Sequence, residues 1–121
     1  MRKRSTGELE ARVMDVLWDR GGWLTPGDVH SALAPETDVA YNTVLTIMSR
    51  LWRKGRLERE RDGRAHAYHP VQSREDYTAA RMQQLLAAAG DRSAALSRFV
   101  DDLDPAERTQ LRRMLQGRRR S

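Results

Sequence analysis

When the segment Ala40 to Lys54 is wound at about 100° per residue, Asn42, Thr43, Thr46, Ser49, Arg50, Arg53 and Lys54 fall on one half. An amide and hydroxyls lie toward the N-terminal end of this half, cations lie toward its C-terminal end, and it contains no carboxylate. A solvated face ordinarily mixes Glu with Lys for pairing and solubility. A face that meets a polyanion excludes acids, because each would repel phosphate. The pattern points to contact with a nucleic-acid duplex, with an ordinary exposed face as the bland alternative.

Each side chain suits a role in that contact. Thr43 and Thr46, one turn apart, can both reach the floor of a major groove. There a threonine hydroxyl meets a donor or acceptor and its methyl can touch a thymine methyl. Asn42 carries the bidentate amide that suits adenine. Arg50 can reach guanine, although phosphate is its expected target. Arg53, Lys54, Arg61 and Arg64 are assigned to phosphates, where they add affinity and salt dependence without sequence choice. Thr25 would cap a helix whose free backbone N–H groups can also hold a phosphate.

Catalytic chemistry finds little support. His66 and His69 are an odd number of positions apart on an expected strand, so they face opposite sides and do not readily share a metal, and His30 stands alone. No Ser-His-Asp, phosphate-loop or paired-carboxylate pattern stands out, so neither an enzyme, a metal nor a cofactor is expected. The chain of 121 residues has no cysteine, which excludes disulfides, Cys-ligated zinc and a thiol nucleophile. Its 22 Lys+Arg against 17 Asp+Glu give a net charge of +5, which favours a polyanionic partner only weakly. No apolar run approaches the roughly 18 to 20 residues that span a bilayer, and the basic start Met1, Arg2, Lys3, Arg4 is not followed by the apolar stretch of a signal peptide. A soluble, cytoplasmic protein without membrane insertion is expected.

The elements that must position these residues are marked by local signals. Ser5 and Glu8 have capping-box spacing ahead of Leu9, Val13, Val16 and Leu17, and Gly21-Gly22 stops that first helix. Trp23 to Thr25 reads as a short extended stretch. Thr25, Pro26 and Asp28 then open a second helix that buries Val29, Ala32 and Leu33 and is ended by Pro35. The third helix, closed by Gly55, turns Tyr41, Val44, Leu45, Ile47, Met48, Leu51 and Trp52 toward the core. Asp62-Gly63 signals a two-residue hairpin turn between two short strands, the second ended by Pro70. Leu57 and Tyr68 are the expected anchors of that hairpin. Its tip is flanked by Arg61 and Arg64, and Glu58 and Glu60 alternate with Arg59 and Arg61 along the strand. Arg50, Arg53, Lys54, Arg56, Arg59, Arg61 and Arg64 are expected on adjacent parts of one surface. Three helices and a basic hairpin describe a mainly α chain with a small β-hairpin wing, a winged helix-turn-helix over residues 1–72.

Residues 73–121 have a different character. Ser73 and Asp76 can cap a fourth helix with the apolar stripe Tyr77, Met82, Leu85, Leu86 and Ala89. A fifth carries Leu96, Phe99, Val100 and Leu103. Asp104, Pro105 and Glu107 open a sixth with Leu111, Met114 and Leu115. Three short amphipathic helices hide too little surface alone. A C-terminal three-helix dimerisation region that shares its core with a second copy resolves this; packing back onto the winged domain is the alternative. Arg118, Arg119 and Arg120 are expected to form a disordered tail with a non-specific phosphate role.

With these residues in place, the chain resembles the penicillinase-repressor family of bacterial winged-helix repressors, over nearly its whole length. The similar stretches are Leu9-Glu10, Val13-Met14 and Leu17-Trp18, then Tyr41-Asn42-Thr43-Val44-Leu45-Thr46 with Arg50-Leu51 and Lys54-Gly55, then Gly63-Arg64 with Tyr68 and Pro70. The resemblance implies a dimeric transcriptional repressor on a pseudo-palindromic double-stranded DNA operator, joined through its C-terminal helices. In antibiotic-responsive members a membrane metalloprotease sensor system triggers cleavage before a phenylalanine of a dimerisation helix. Arg98-Phe99 is the corresponding pair here, with arginine where the best-known members have asparagine. A copper-responsive branch uses a cysteine-rich motif that this chain lacks. The competing readings are a winged-helix protein-docking module, which would expose apolar groups on the third helix, and a repressor controlled by a small ligand.

Overall fold

A computed structural model describes residues 5–119. The basic start Met1, Arg2, Lys3 and Arg4, and the last tail residues Arg120 and Ser121, lie outside the described residues. In chain order the elements are α1 (Thr6–Arg20), α2 (Pro26–Leu33), α3 (Tyr41–Arg53), β1 (Leu57–Asp62), β2 (Ala65–Pro70), α4 (Arg74–Ala88), α5 (Arg92–Asp102) and α6 (Pro105–Arg119). The mainly α architecture with a hairpin wing is as expected. Two compact units are present, one ending at Tyr77 and the other beginning at Thr78, with the division inside α4.

The helix ends of the first unit form where side chains or glycine satisfy backbone groups that the helix leaves unpaired. Ser5 accepts from the Glu8 N–H at the start of α1. At α2 the Thr25 hydroxyl accepts from the Asp28 N–H while the Asp28 carboxylate accepts from the Thr25 N–H, a complete capping box. At the end of α3, Gly55 N–H donates to the Trp52 carbonyl and Arg56 N–H to the Leu51 carbonyl. This paired closure needs a left-handed residue, and Gly55 supplies φ 82°.

The apolar faces of α1, α2 and α3 meet in one core. Val13, Leu17, Val29, Leu33, Val44, Met48 and Leu51 are fully buried there. The antiparallel hairpin pairs Leu57 with Pro70 and Asp62 with Ala65. Leu57 and Tyr68 are its buried anchors, as expected; burying such a side chain contributes roughly 1.5–3 kcal/mol. Leu24 and Tyr68 exchange two backbone hydrogen bonds, of 3.0 and 2.7 Å, so the extended stretch before α2 adds a one-residue rung to the wing.

The start of α4 belongs to the first unit. Trp18 Nε1 donates to the Gln72 carbonyl at 2.9 Å, and Arg74 bridges Asp15 and Asp19 of α1. Those carboxylates hold the Arg74 guanidinium above its ordinary pKa, chiefly through the hydrogen bond that it donates to Asp19. Tyr77, expected on the C-terminal apolar stripe, instead lies against Trp18 with ring centroids 5.5 Å apart and carries the Arg56 guanidinium 4.1 Å above its ring. A tyrosine facing two π partners on the first unit has its apolar body already packed.

In the second unit Asp91 caps α5, and Asp104 and Glu107 form a reciprocal capping box at α6. A groove of about 490 Å³ runs between α4 and α5, lined by Ala79, Met82, Leu85, Leu86, Leu96 and Phe99 among others. The tail expected to be disordered is helical through Arg119. α6 meets no helix-breaking residue before that point except Gly117, which a helix tolerates at a cost of about 1 kcal/mol.

Candidate nucleic-acid interface

The core contacts of α3 determine which of its side chains face outward. Val44, Ile47, Met48 and Leu51 hold the helix down. Asn42, Thr43, Thr46 and Arg53 are exposed on the other side, and Ser49 and Arg50 are half-buried. Asn42, Thr43, Thr46, Ile47 and Arg50 line an open cleft of about 280 Å³ with Thr6 and Leu9 of α1. The first turn of α1 therefore forms one wall beside the polar face. Within that face Arg53 Nη2 donates to Ser49 Oγ at 3.1 Å, which orders the guanidinium along the helix.

Two residues assigned to phosphates have other partners. Lys54 Nζ lies 3.1 Å from Glu10 Oε1, in an ion pair whose acid is largely covered. Any phosphate contact by Lys54 competes with that pair. Thr25 is engaged through its hydroxyl in the capping box, and the Asp28 carboxylate occupies the same helix end. An anion there would meet a negative charge, so the structure does not favour Thr25 as a phosphate site.

The wing carries Arg61 and Arg64, both exposed. The turn differs by one residue from the expected Asp62-Gly63: Asp62 pairs with Ala65, and the two loop residues are Gly63 and Arg64. Gly63 has φ 64° and no non-glycine residue among those described has positive φ. This pattern, glycine first, fits the type II′ hairpin turn, and it places Arg64 at the tip rather than beside it. Glu58 and Glu60 are exposed, while Leu57, Arg59 and Arg61 alternate with them on the other face of β1.

Not every arginine of the expected basic surface is free for a polyanion. The Arg59 guanidinium lies 3.5 Å over the Trp52 ring. Arg56 stacks on Tyr77 with a buried Nε that has no hydrogen-bond partner. Both arginines act as tertiary contacts of the wing and of α4. The histidines are likewise engaged separately: His69 Nδ1 lies 3.1 Å from the Gly22 carbonyl and its ring is near Trp23, His66 is edge-on to Tyr68, and His30 Nε2 lies 2.9 Å from the Val39 carbonyl.

The helical wheel misplaced three residues. Tyr41, Leu45 and Trp52, expected in the core, are 45%, 40% and 37% exposed. They lie along one edge of the polar face, with Tyr41 against His30 of α2 and Trp52 against Arg59 of the wing. A wheel gives direction but not depth, and the core closes over Val44, Ile47, Met48 and Leu51 without them. The signal that could have separated them is their shared angle at the border between the two halves. Apolar groups expected to turn toward the core are thus exposed on α3.

Comparison with known proteins agrees with this geometry. Two curated relatives, the transcriptional regulator BlaI of Mycobacterium tuberculosis strains CDC 1551 / Oshkosh and ATCC 25618 / H37Rv, are each 44% identical over 112 residues, spanning 90% of this chain and 81% of theirs. Among solved structures, the DNA-binding domain of the repressor BlaI superposes with a TM-score of 0.51 at 27% identity, covering 63% of this chain and 94% of that domain. These names are those of a transcriptional regulator and a repressor, not of an enzyme. The family model described as penicillinase repressor matches residues 6–117, nearly everything from the first turn of α1 to the last turns of α6, and the chain belongs to the penicillinase repressor family.

Proposed function

We propose that this chain is a transcriptional repressor that occupies a pseudo-palindromic operator as a homodimer. In this reading α3 enters the major groove, where Asn42, Thr43 and Thr46 read base edges and Arg50 and Arg53 reach bases or phosphates. Arg61 and Arg64 on the wing take flanking phosphates. The observation that carries the reading is the exposed, carboxylate-free face of α3 with a basic hairpin following it. The relatives' roles as repressor and transcriptional regulator support it.

The second unit supplies the support for dimerisation. Leu85, Leu86, Leu96 and Phe99 surround an open apolar groove, Met114 and Leu115 are exposed, and Val100, Leu103 and Leu111 are only half-buried. Apolar surface of this extent favours a second copy over water. A two-fold dimer would match two half-sites. The Arg98–Phe99 bond lies inside α5. Cleavage there by a protease of a membrane sensor system would cut one wall of the groove and so release the operator. No helix among the described residues is long and apolar enough to cross a membrane, and the cytoplasm is the proposed location.

A mobility-shift titration tests the reading. The full chain is titrated against a duplex enriched by binding from a random pool and against unselected duplex, at two salt concentrations. Tighter binding of the enriched duplex, with affinity falling steeply as salt rises, is the expected result. Equal binding of both duplexes would overturn sequence recognition. The exposed Tyr41, Leu45 and Trp52 favour a second reading, a protein-docking face, and failure to shift any duplex at low salt would select it.

A further inference from the structure

We infer that Leu45 is a specificity-determining residue that reads a thymine methyl group in the major groove; this rests on the proposed operator binding by α3. The direction of the side chain is the first argument. At 3.6 residues per turn, the buried Val44, Ile47, Met48 and Leu51 define the inward pole of α3, and Leu45 lies about 70° from the outward pole. That equals the offset of Arg50 on the opposite flank, and Thr43 lies further round, at about 90°. Leu45 therefore belongs to the outward face as fully as residues chosen for their polarity.

The second argument is its exposure. Its apolar neighbours along the same edge have partners: the His30 ring meets Tyr41 edge-on at 6.0 Å, and the Arg59 guanidinium covers Trp52 at 3.5 Å. Leu45 itself stays 40% exposed. A single exposed leucine is ordinary on a protein surface. Here it stands one turn from Asn42 and one turn from Ser49, on a face with no carboxylate. On the major-groove floor the apolar feature available to such a side chain is the C5 methyl of thymine. Burying one methyl is expected to change affinity about fourfold.

The test uses the full chain and a duplex enriched by binding from a random pool, resynthesised with deoxyuridine in place of thymidine at one position of each half-site at a time. Uracil keeps every hydrogen-bonding group and lacks only the methyl. At one position wild type should lose about fourfold in affinity per methyl removed. Leu45→Ala should bind thymine and uracil duplexes equally, and Leu45→Met, still apolar, should retain the discrimination. Circular dichroism of the variants checks that the helices are intact. If wild type tolerates uracil everywhere while still preferring the enriched duplex, the inference fails and operator recognition stands. If the uracil penalty persists in Leu45→Ala, another residue reads the methyl and the inference again fails. If no duplex can be enriched at all, the proposed function falls first and takes this inference with it.

Discussion

The Arg59 guanidinium of β1 sits 3.5 Å above the ring of Trp52 on α3. This contact joins the wing to the helix that carries Asn42, Thr43 and Thr46, on the side away from α1. Leu57 and Tyr68 hold the root of the hairpin in the core, and Arg59 is the rung partner of Tyr68 on the edge strand β1. The cation over the indole fixes how the outer strand lies along α3, and so where Arg61 and Arg64 stand relative to the polar face.

Removing either partner should therefore loosen the wing. Arg59→Ala is expected to cost about 0.5–1 kcal/mol, the range for a partly exposed cation–π pair. Trp52→Ala should cost more because its packing disappears as well. The double variant should cost less than the two single values added, by roughly the pair's own energy. Urea unfolding of the four proteins measures this coupling, and strict additivity would mean the stacking contributes nothing.

Gly55 closes α3 at φ 82°, with nothing within 4 Å of the position a Cβ would occupy. Gly55→Ala should destabilise through backbone conformation alone, by about 1–2 kcal/mol. Gly7, in the first turn of α1, has equally open surroundings and no left-handed φ. Gly7→Ala should stabilise by about 0.4–1 kcal/mol, by restricting the unfolded chain. Opposite shifts in melting temperature check both; a shift of the same sign would contradict the account.

What the sequence made legible was mostly local. Ser5, Thr25 with Asp28, Gly55, and Asp104 with Glu107 sit at or next to helix ends because caps are satisfied within a few residues, whereas the Asp91 cap of α5 was not foreseen. The hairpin was legible to within one position, because Gly63 takes the first loop place of its turn rather than the second. Contacts between distant segments were not legible. Nothing in the spacing of Lys54 and Glu10, or of Tyr77, Arg56 and Trp18, announces that they meet. The exposure of Tyr41, Leu45 and Trp52 was hidden for a related reason, since how far the core reaches around α3 depends on α1, α2 and the wing together. The polar face itself was readable as a direction on one helix, and the structure adds the wall formed by Thr6 and Leu9.

Base reading and phosphate binding should separate on mutation. Thr46→Ala is expected to lower affinity for the enriched duplex and narrow its advantage over random DNA, with little change in salt dependence. Arg64→Ala should weaken all duplexes alike and reduce the slope of log affinity against log salt by about 0.9 for each phosphate that is no longer neutralised. Titrations at several salt concentrations distinguish the two, and equal losses on both kinds of DNA in both variants would refute the division of roles.

The Lys54–Glu10 pair makes a less obvious prediction. Lys54 is half-exposed while Glu10 is largely covered, at an Nζ to Oε1 distance of 3.1 Å. Glu10→Gln leaves the lysine charge without its partner and removes one negative charge near α3. Binding to duplex DNA should tighten and its salt slope steepen, by up to about 0.9 for each subunit whose Lys54 reaches a phosphate. Thermal stability should change little, since a partly exposed pair contributes about 0–1 kcal/mol. An unchanged slope would show that Lys54 stays out of reach of the duplex.

Leu85 and Phe99 offer the sharpest test of assembly. Leu85 is 68% exposed and Phe99 47% exposed within one chain, and both line the α4–α5 groove. Little of the Leu85 side chain is buried in a single subunit, so Leu85→Glu should leave the helix content and the first unit intact. If a second copy covers the groove, the new carboxylate is trapped without a partner in the interface, which disfavours association strongly. Sedimentation should then show a folded monomer, and a two-half-site duplex should be bound far more weakly while affinity for a single half-site changes little. Phe99→Ser should behave in the same direction with a smaller effect, because it removes apolar surface from the interface without adding charge. Both variants remaining dimeric would move the interface away from this groove and onto another surface of the chain.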